Sequence, residues 1–152
     1  MTALANLHLT NRVNSIAAVT APDRIVYCDG SKEEYVGLIS EMLKNGTLLA
    51  LNSNTNPRSY LHRSDPSDVA MAEDLTFIST VKREDAGPNN NWMSPQQVEQ
   101  QVWPLFEGVM RGRTMYVAPY LLGPAGSPYS RVGVQISDSP YVVANLCIMT
   151  RM

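Results

Sequence analysis

Histidine and cysteine are scarce in this sequence, and their scarcity excludes two classes of site. The two histidines, His8 and His62, are not paired at the spacing of metal ligands. A zinc site or a histidine-based catalytic site built from this chain alone is therefore not expected. The two cysteines, Cys28 and Cys147, have no CxxC partner and lie among apolar residues. That setting is typical of reduced thiols in a core.

The sequence also lacks a strong charge of either sign and any long apolar run. Twelve lysine and arginine residues face fourteen acidic residues, so the net charge is −2, and no basic cluster occurs. Neither a nucleic-acid partner nor a membrane partner is indicated. No apolar stretch approaches the roughly 20 residues of a membrane span. The N-terminus has no signal-peptide pattern, so a cytoplasmic location is predicted.

The composition that remains is that of a folded globular protein. Apolar residues make up 44% and charged residues 17% of the 152 positions, enough for one domain with its own core. Residues 1–22 are mixed in character and lack a helix cap, which predicts a weak helix or a loosely docked N-terminal arm. Residues 23–152 are predicted to form the domain.

Two capping boxes predict the starts of two helices. Ser31 is followed three residues later by Glu34, and an apolar stripe at helical spacing continues to Asn45-Gly46. Ser94 is followed by Gln97, with proline at the first helical position. Pro104 predicts a kink or an early end of this second helix.

Strand-like segments are concentrated in the last third of the chain. We predict strands over Arg24–Cys28, Leu75–Val81, Thr114–Leu122, Arg131–Ile136 and Tyr141–Met149. Helices early and strands late predict an α/β or α+β fold, a mixed sheet with flanking helices. The segment Gly123–Pro128 is predicted to be a rigid turn between strands, because it lacks the lysine of a phosphate-binding loop.

The charged residues form no recognisable catalytic motif. Asp65, Asp68, Glu73 and Asp74 crowd one segment beside Arg58, His62 and Arg63. Residue chemistry alone predicts a mixed-charge surface loop in which the aspartates cap backbone N–H groups. Arg111 and Arg113 form either a solvated entry to the sheet or ion pairs with another part of a larger protein. No catalytic residue and no metal ligand is assigned.

Several longer segments together indicate a family. They are, in order, Ile25–Ser31, Tyr60–Glu73, Asn91–Met93, Arg111–Val117, Gly126–Pro128, Gly133–Gln135, Asp138–Val143 and Thr150–Met152. In this order the segments resemble the N-terminal part of GTP-dependent phosphoenolpyruvate carboxykinase, in its prokaryotic form. The resemblance covers nearly the whole chain and implies the N-terminal domain fold of that family, here truncated.

The resemblance implies an activity for a full-length protein. Such an enzyme, a lyase of gluconeogenesis, decarboxylates oxaloacetate and phosphorylates the enolate with GTP, and it uses Mn²⁺ and Mg-GTP. The family's metal ligands and nucleotide loop would follow the last residue of this sequence, so no cofactor is expected in the chain itself. The implied partners are the remainder of the carboxykinase chain and, weakly at most, oxaloacetate or phosphoenolpyruvate.

Two positions would touch substrate or lid by this resemblance. Met71 occupies the place of the family's carboxylate-binding arginine, so that this contact is expected to be lost. Glu73 occupies the place of a glutamate that engages the mobile lid. Two interpretations follow: the chain is the substrate-side portion of a carboxykinase, inactive alone, or it is a standalone degenerate paralogue that acts as a binding or regulatory module.

Overall fold

A computed structural model describes residues 7–64 and 73–146, which belong to two compact units. The first unit comprises residues 1–63 and 110–152, and the second comprises residues 64–109. The elements of the first unit are α1 (Leu7–Thr20), β1 (Arg24–Tyr27), α2 (Lys32–Lys44), β2 (Leu48–Ala50), β3 (Tyr60–His62), β4 (Thr114–Leu122), β5 (Arg131–Ser137) and α4 (Pro140–Asn145). The second unit contains α3 (Pro95–Val102) and three short 3₁₀ helices, Glu73–Leu75, Arg83–Ala86 and Trp103–Phe106.

The first unit is built on a mixed three-stranded sheet, which confirms the predicted α+β fold. β4 is central: it pairs in parallel with β1 and antiparallel with β5. Because side chains alternate across a strand, β4 contributes to two cores. Met115 and Val117 pack with Val13 of α1, whereas Tyr116 and Ala118 share a cluster with residues of α2 and α4. Helices therefore cover both faces of the central strand.

For residues 1–22 the sequence predicted either a weak helix or a loosely docked arm, and the described part, residues 7–20, is the helix α1. Residues 7–20 are helical, and Val13 is completely buried in the cluster of Met110, Met115 and Val117. The last turn of α1 is also tied to the sheet entry, since the Met110 N–H donates to the Thr20 carbonyl at 2.9 Å. The proposed boundary at residue 23 stays a prediction.

The first capping box forms with one difference from the expected pattern. Ser31 Oγ accepts the Glu34 N–H at 3.0 Å, as predicted. The Glu34 carboxylate, however, accepts from the N–H groups of Asp29 and Gly30 and not from that of Ser31. The Ser31 N–H donates instead to Asp29 Oδ1 at 2.8 Å. The turn before α2 is therefore closed by two carboxylates.

The second capping box and the proline stop are confirmed. Ser94 Oγ accepts the Gln97 N–H, and the Gln97 side chain accepts the Ser94 N–H, so that both halves of the box are present. The α-helix ends at Val102, and residues 103–106 continue as a 3₁₀ helix that contains Pro104. This tighter turn follows from the hydrogen bond that proline cannot donate.

The predicted strand over Leu75–Val81 is wrong. The segment begins with the 3₁₀ helix Glu73–Leu75 and contains one isolated bridge, between Ile78 and Trp92. Leu75 is 78% and Val81 88% exposed. Alternation of apolar and polar residues produces a strand only where a neighbouring strand and a core receive them. The second unit, as far as it is described, offers neither to these side chains.

The predicted strand over Tyr141–Met149 is also wrong in its described part, residues 141–146, whereas residues 147–149 lie outside the described residues. Residues 140–145 form α4, which Ser139 caps by accepting the Val142 N–H at 3.3 Å, with Pro140 at the first helical position. Ser139-Pro140 is a helix start signal, and it prevails over the β-branched residues that follow. Cys147 lies outside the described residues, whereas Cys28 is buried in the core cluster, 5% exposed.

A β-hairpin that the sequence did not predict joins α2 to residues 63–73, the part of the chain that the resemblance makes the candidate substrate loop. β2 and β3 pair antiparallel, with Leu48 opposite His62 and Ala50 opposite Tyr60. The polar segment 52–57 lies in the turn between them, as predicted for a loop. Arg58 at the end of this turn has a φ of 57°, in the left-handed region.

The turn between β4 and β5 has the character predicted for Gly123–Pro128. Gly123 and Gly126 have φ values of 95° and 77°, and the two strands on either side are antiparallel. Within this pair Gly133 lies opposite Tyr120, and a Cβ at Gly133 would overlap the Tyr120 ring. Among the described residues, no helix is long and apolar enough to cross a membrane.

Candidate functional site

The candidate substrate loop is described on its two flanks. β3 ends at His62, and the residues Arg63 and Ser64 that follow it are exposed. Met71 lies outside the described residues, as do Asp65 and Asp68. Glu73 is the first residue of the 3₁₀ helix Glu73–Leu75, and only its backbone is described. The roles assigned to Met71 and Glu73 by resemblance stay predictions.

The imidazole of His62 fastens the end of β3 to the first unit. Its Nδ1 lies 2.9 Å from the Thr47 carbonyl oxygen, which can only accept a hydrogen bond, so Nδ1 carries the proton. The ring stacks on Tyr141 of α4 at a centroid distance of 4.0 Å and an interplanar angle of 25°. The sequence predicted His62 as part of a charged surface loop, and this half-buried structural position was missed.

Two arginines remain near the loop in sequence, and both are exposed. Arg58 belongs to the hairpin turn and lines a cleft of the first unit, and Arg63 directly follows β3. Each carries a guanidinium that could hold a carboxylate in two hydrogen bonds. Neither is shown to take the place of the arginine that the resemblance implies at position 71.

The described residues do not fit a divalent metal. Among residues 7–64 and 73–146, no group of three His, Cys, Asp or Glu side chains is arranged to hold a metal ion. His62 directs one ring nitrogen to a backbone carbonyl. Mn²⁺ and Mg²⁺ need several oxygen or nitrogen ligands around one point, and these are not brought together in the described part of the chain.

Two titratable groups have shifted pKa values for local reasons. The pKa of Asp29 is lowered, first by the hydrogen bond from the Ser31 backbone and then by the Ser31 side chain. The pKa of Tyr116 is raised, first by burial and then by the charge of Glu41, whose carboxylate accepts the Tyr116 hydroxyl at 3.4 Å. Both pKa shifts arise from contacts that hold the fold together: Asp29 lies in the turn before α2, and Tyr116 lies in β4.

The entry to β4 is held by polar contacts within the chain. Arg113 donates to Asp138 at 2.6 Å in an ion pair whose arginine side chain is 63% exposed. The Gly112 N–H donates to Asp23 Oδ1 at 2.9 Å, and Arg24 Nε donates to Thr114 Oγ1 at 2.6 Å. Arg113 thus lies at a largely solvated sheet entry and has an ion pair within the chain. The alternative that Arg111 and Arg113 pair with another part of a larger protein stays a prediction.

A polar cleft of about 470 Å³ lies in the second unit, but its polar groups serve the local fold. Trp92 Nε1 donates to the Thr80 carbonyl at 3.1 Å and to its hydroxyl at 3.0 Å. Asn90 Nδ2 donates to the Ala86 carbonyl at 2.7 Å. Asn91 Nδ2 also donates to the Thr76 carbonyl at 3.3 Å, so Asn90, Asn91 and Trp92 each support the local fold.

The fold defines the chain as an α+β protein with a mixed sheet. No metal centre is found among its described residues. The family model "Phosphoenolpyruvate carboxykinase N-terminal domain" matches residues 11–152. The match covers more than nine tenths of the chain, so the chain belongs to this family, and the resemblance inferred from the sequence is confirmed.

Full-length relatives point to the GTP-dependent class. The chain is 49% identical over 140 residues to phosphoenolpyruvate carboxykinase (GTP) of Chlamydia felis, covering 92% of this chain and 23% of the relative. It is 45% identical over 152 residues to that of Neocallimastix frontalis, covering 100% and 25%. It is 44% identical over 147 residues to that of Corynebacterium jeikeium, covering 97% and 24%. The chain therefore spans about a quarter of the length of these relatives and corresponds to their N-terminal portion.

Proposed function

We propose that this chain is the substrate-side N-terminal portion of a cytoplasmic GTP-dependent phosphoenolpyruvate carboxykinase. One observation carries the proposal: all 152 residues align at 45% identity with a carboxykinase of this class. The reaction of the whole protein would break the bond between the methylene carbon of oxaloacetate and the carboxylate attached to it, releasing CO₂ and leaving the electron pair of that bond in the enolate of pyruvate. The enolate oxygen would then take the γ-phosphoryl group of GTP to give phosphoenolpyruvate and GDP. This match does not favour the alternative of a standalone binding or regulatory module.

The contribution of this segment is that of a scaffold for the substrate loop. The hairpin β2–β3 immediately precedes the loop in the chain. The contacts of His62 with Thr47 and Tyr141 hold the last residue before the loop in place. By the resemblance, Mn²⁺ and Mg-GTP would bind to the remainder of the carboxykinase chain, which would carry the nucleotide and metal sites. The segment alone is therefore proposed to be inactive.

Met71 would weaken the hold of such an enzyme on its substrate. A charge-assisted hydrogen bond to a carboxylate contributes about 1.5–3 kcal/mol, and an arginine can form two of them. A thioether has no hydrogen to donate. Since about 1.4 kcal/mol corresponds to a factor of ten, the loss in kcat/KM is expected to be at least roughly 10-fold.

The test is the substitution Met71→Arg in the full-length protein that contains this segment. We expect kcat/KM for oxaloacetate to rise at least about 10-fold, whereas Met71→Leu, which restores no charge, leaves it unchanged. An unchanged value in Met71→Arg would show that another cation holds the carboxylate. Arg58→Gln and Arg63→Gln in the same protein would then identify it.

A second measurement concerns the segment by itself. The isolated chain is expected to show no GTP-dependent loss of oxaloacetate above the buffer rate, because it would lack the nucleotide and metal sites. Measurable turnover by the isolated chain would overturn the assignment of these sites to the remainder of the protein.

A further inference from the structure

The first unit contains an open cleft of about 550 Å³ between α2 and the β2–β3 hairpin. Its wall on the helix side includes Tyr35, Val36 and Ile39, and its wall on the hairpin side includes Pro57 and Tyr60. The lining surface is mostly apolar, and Ile39, 8% exposed, connects it to the core. The volume is within the range of about 300–1,000 Å³ that is usual for small-molecule sites.

Two cations complete the cleft, one from each side. Lys32 comes from the first turn of α2 and Arg58 from the hairpin turn. Lys32 follows the helical spacing of Tyr35, Val36 and Ile39, so these four residues lie on one face of α2. No carboxylate is among the described residues that line the cleft. The cleft therefore presents two positive charges beside an apolar wall.

Both cations occupy positions that the local structure disfavours. Lys32 is the first residue of α2, where the helix dipole favours negative charge. Arg58 has a φ of 57°, a left-handed conformation that glycine or asparagine adopts at less cost. Departures from local rules concentrate at functional sites. Here two independent departures direct positive charge to the same cleft.

We propose that this cleft binds a small organic anion, with a carboxylate or phosphate group attached to a flat apolar body. The guanidinium of Arg58 would bind the oxyanion in two hydrogen bonds, and Lys32 would supply a second charge. The rings of Tyr35 and Tyr60 and the side chain of Val36 would contact the apolar part. The proposal goes beyond the carboxykinase reaction and does not depend on it.

The first experiment is a titration of the ¹⁵N-labelled chain with four probes, following the amide signals of Val36 and Ser59. Benzoate and phenyl phosphate combine the oxyanion with a ring; benzyl alcohol has the ring alone, and acetate the oxyanion alone. We expect at least one of the first two to saturate these signals and to bind about 10-fold or more tightly than benzyl alcohol and acetate. Saturation by benzoate alone would identify a carboxylate ligand, and saturation by phenyl phosphate alone a phosphorylated one.

Four variants separate binding from folding. Lys32→Gln and Arg58→Gln are expected to weaken the better probe about 10-fold, whereas Lys44→Gln, on the last turn of the same helix, leaves it unchanged. Arg58→Gly removes the guanidinium but suits the left-handed turn, so it is expected to raise the melting temperature while affinity falls. Equal binding by Arg58→Gly and the original chain, equal effects at Lys32 and Lys44, or no saturation by either ring-bearing anion would each overturn the proposal.

Discussion

In the first unit, β4 buries four consecutive residues, Met115 to Ala118, whereas α3 of the second unit buries none of its side chains. The same contrast extends through the described residues of both units. Thirteen apolar residues are buried there, and Ala86 is the one that belongs to the second unit. Large apolar side chains of the second unit that stay exposed include Leu75, Phe77, Ile78, Val81, Val102, Trp103, Leu105, Phe106 and Val109.

Good local signals for a helix therefore do not guarantee that the helix packs into a core. α2 and α3 begin with equally clear serine caps, yet α2 buries Leu38, Ile39 and Met42 and α3 buries nothing. A cap fixes where a helix begins, while burial supplies most of the stabilisation. The first unit is therefore expected to carry the cooperative stability of the chain, and the second unit to contribute little to it.

The largest expected change in stability comes from a substitution that leaves a cavity in the core of the first unit. Met115→Ala removes a completely buried side chain and is expected to lower the free energy of unfolding by about 2–5 kcal/mol. The matched change Leu105→Ala, at a side chain 74% exposed in the second unit, is expected to stay within about 0.5 kcal/mol. Urea denaturation measures both. Similar losses in the two variants would show that the second unit has a core of its own.

A smaller effect distinguishes the two caps. Ser31→Ala is expected to lower the global free energy of unfolding by about 0.5–2 kcal/mol, because α2 is part of the core. Ser94→Ala is expected to leave the global value nearly unchanged and to speed hydrogen exchange at the amides of α3, since that helix opens locally. If Ser94→Ala shifts the denaturation midpoint as much as Ser31→Ala, the two helices unfold together.

The smallest effect concerns Asp29, in the turn that caps α2. Its pKa is lowered in the folded state, so its carboxylate stabilises the fold above the unfolded pKa, and this contribution is lost as the pH falls through the folded value. The stability difference between the original chain and Asp29→Asn is therefore expected to be present at about pH 7 and to narrow below about pH 4. Urea unfolding at several pH values checks this. A difference independent of pH would assign the effect to packing and not to charge.

The sequence predicted those strands and helices that depend on nearby residues, and it failed where a distant partner decides the structure. The strands β1, β4 and β5 and the helices α2 and α3 follow from alternation and caps, and they are found where predicted. The segment 75–81 failed because strand formation depends on a partner, which lies outside any local window. The prediction over Tyr141–Met149 failed at residues 141–145 because it relied on their β-branched and aromatic content, whereas Ser139-Pro140 starts a helix there.

The candidate site was less predictable than the fold. Residue chemistry predicted only a charged loop for the segment around Met71. The role of position 71 comes from the family resemblance alone and stays a prediction, because a methionine side chain gives no sign of a carboxylate-binding site. The hairpin β2–β3 was missed because its strands have three residues each, too short for a periodic signal. The stack of His62 on Tyr141 joins residues far apart in sequence, and no local pattern predicts it.

The pair formed by Gly133 and Tyr120 has a consequence for how this domain can diverge. Since a Cβ at position 133 would occupy the space of the Tyr120 ring, position 133 cannot gain a side chain while the ring stays in its present place. A descendant that acquires a side chain at position 133 must move the aromatic ring at position 120 or lose it. The two positions should therefore covary among homologues, with glycine retained wherever the ring is present.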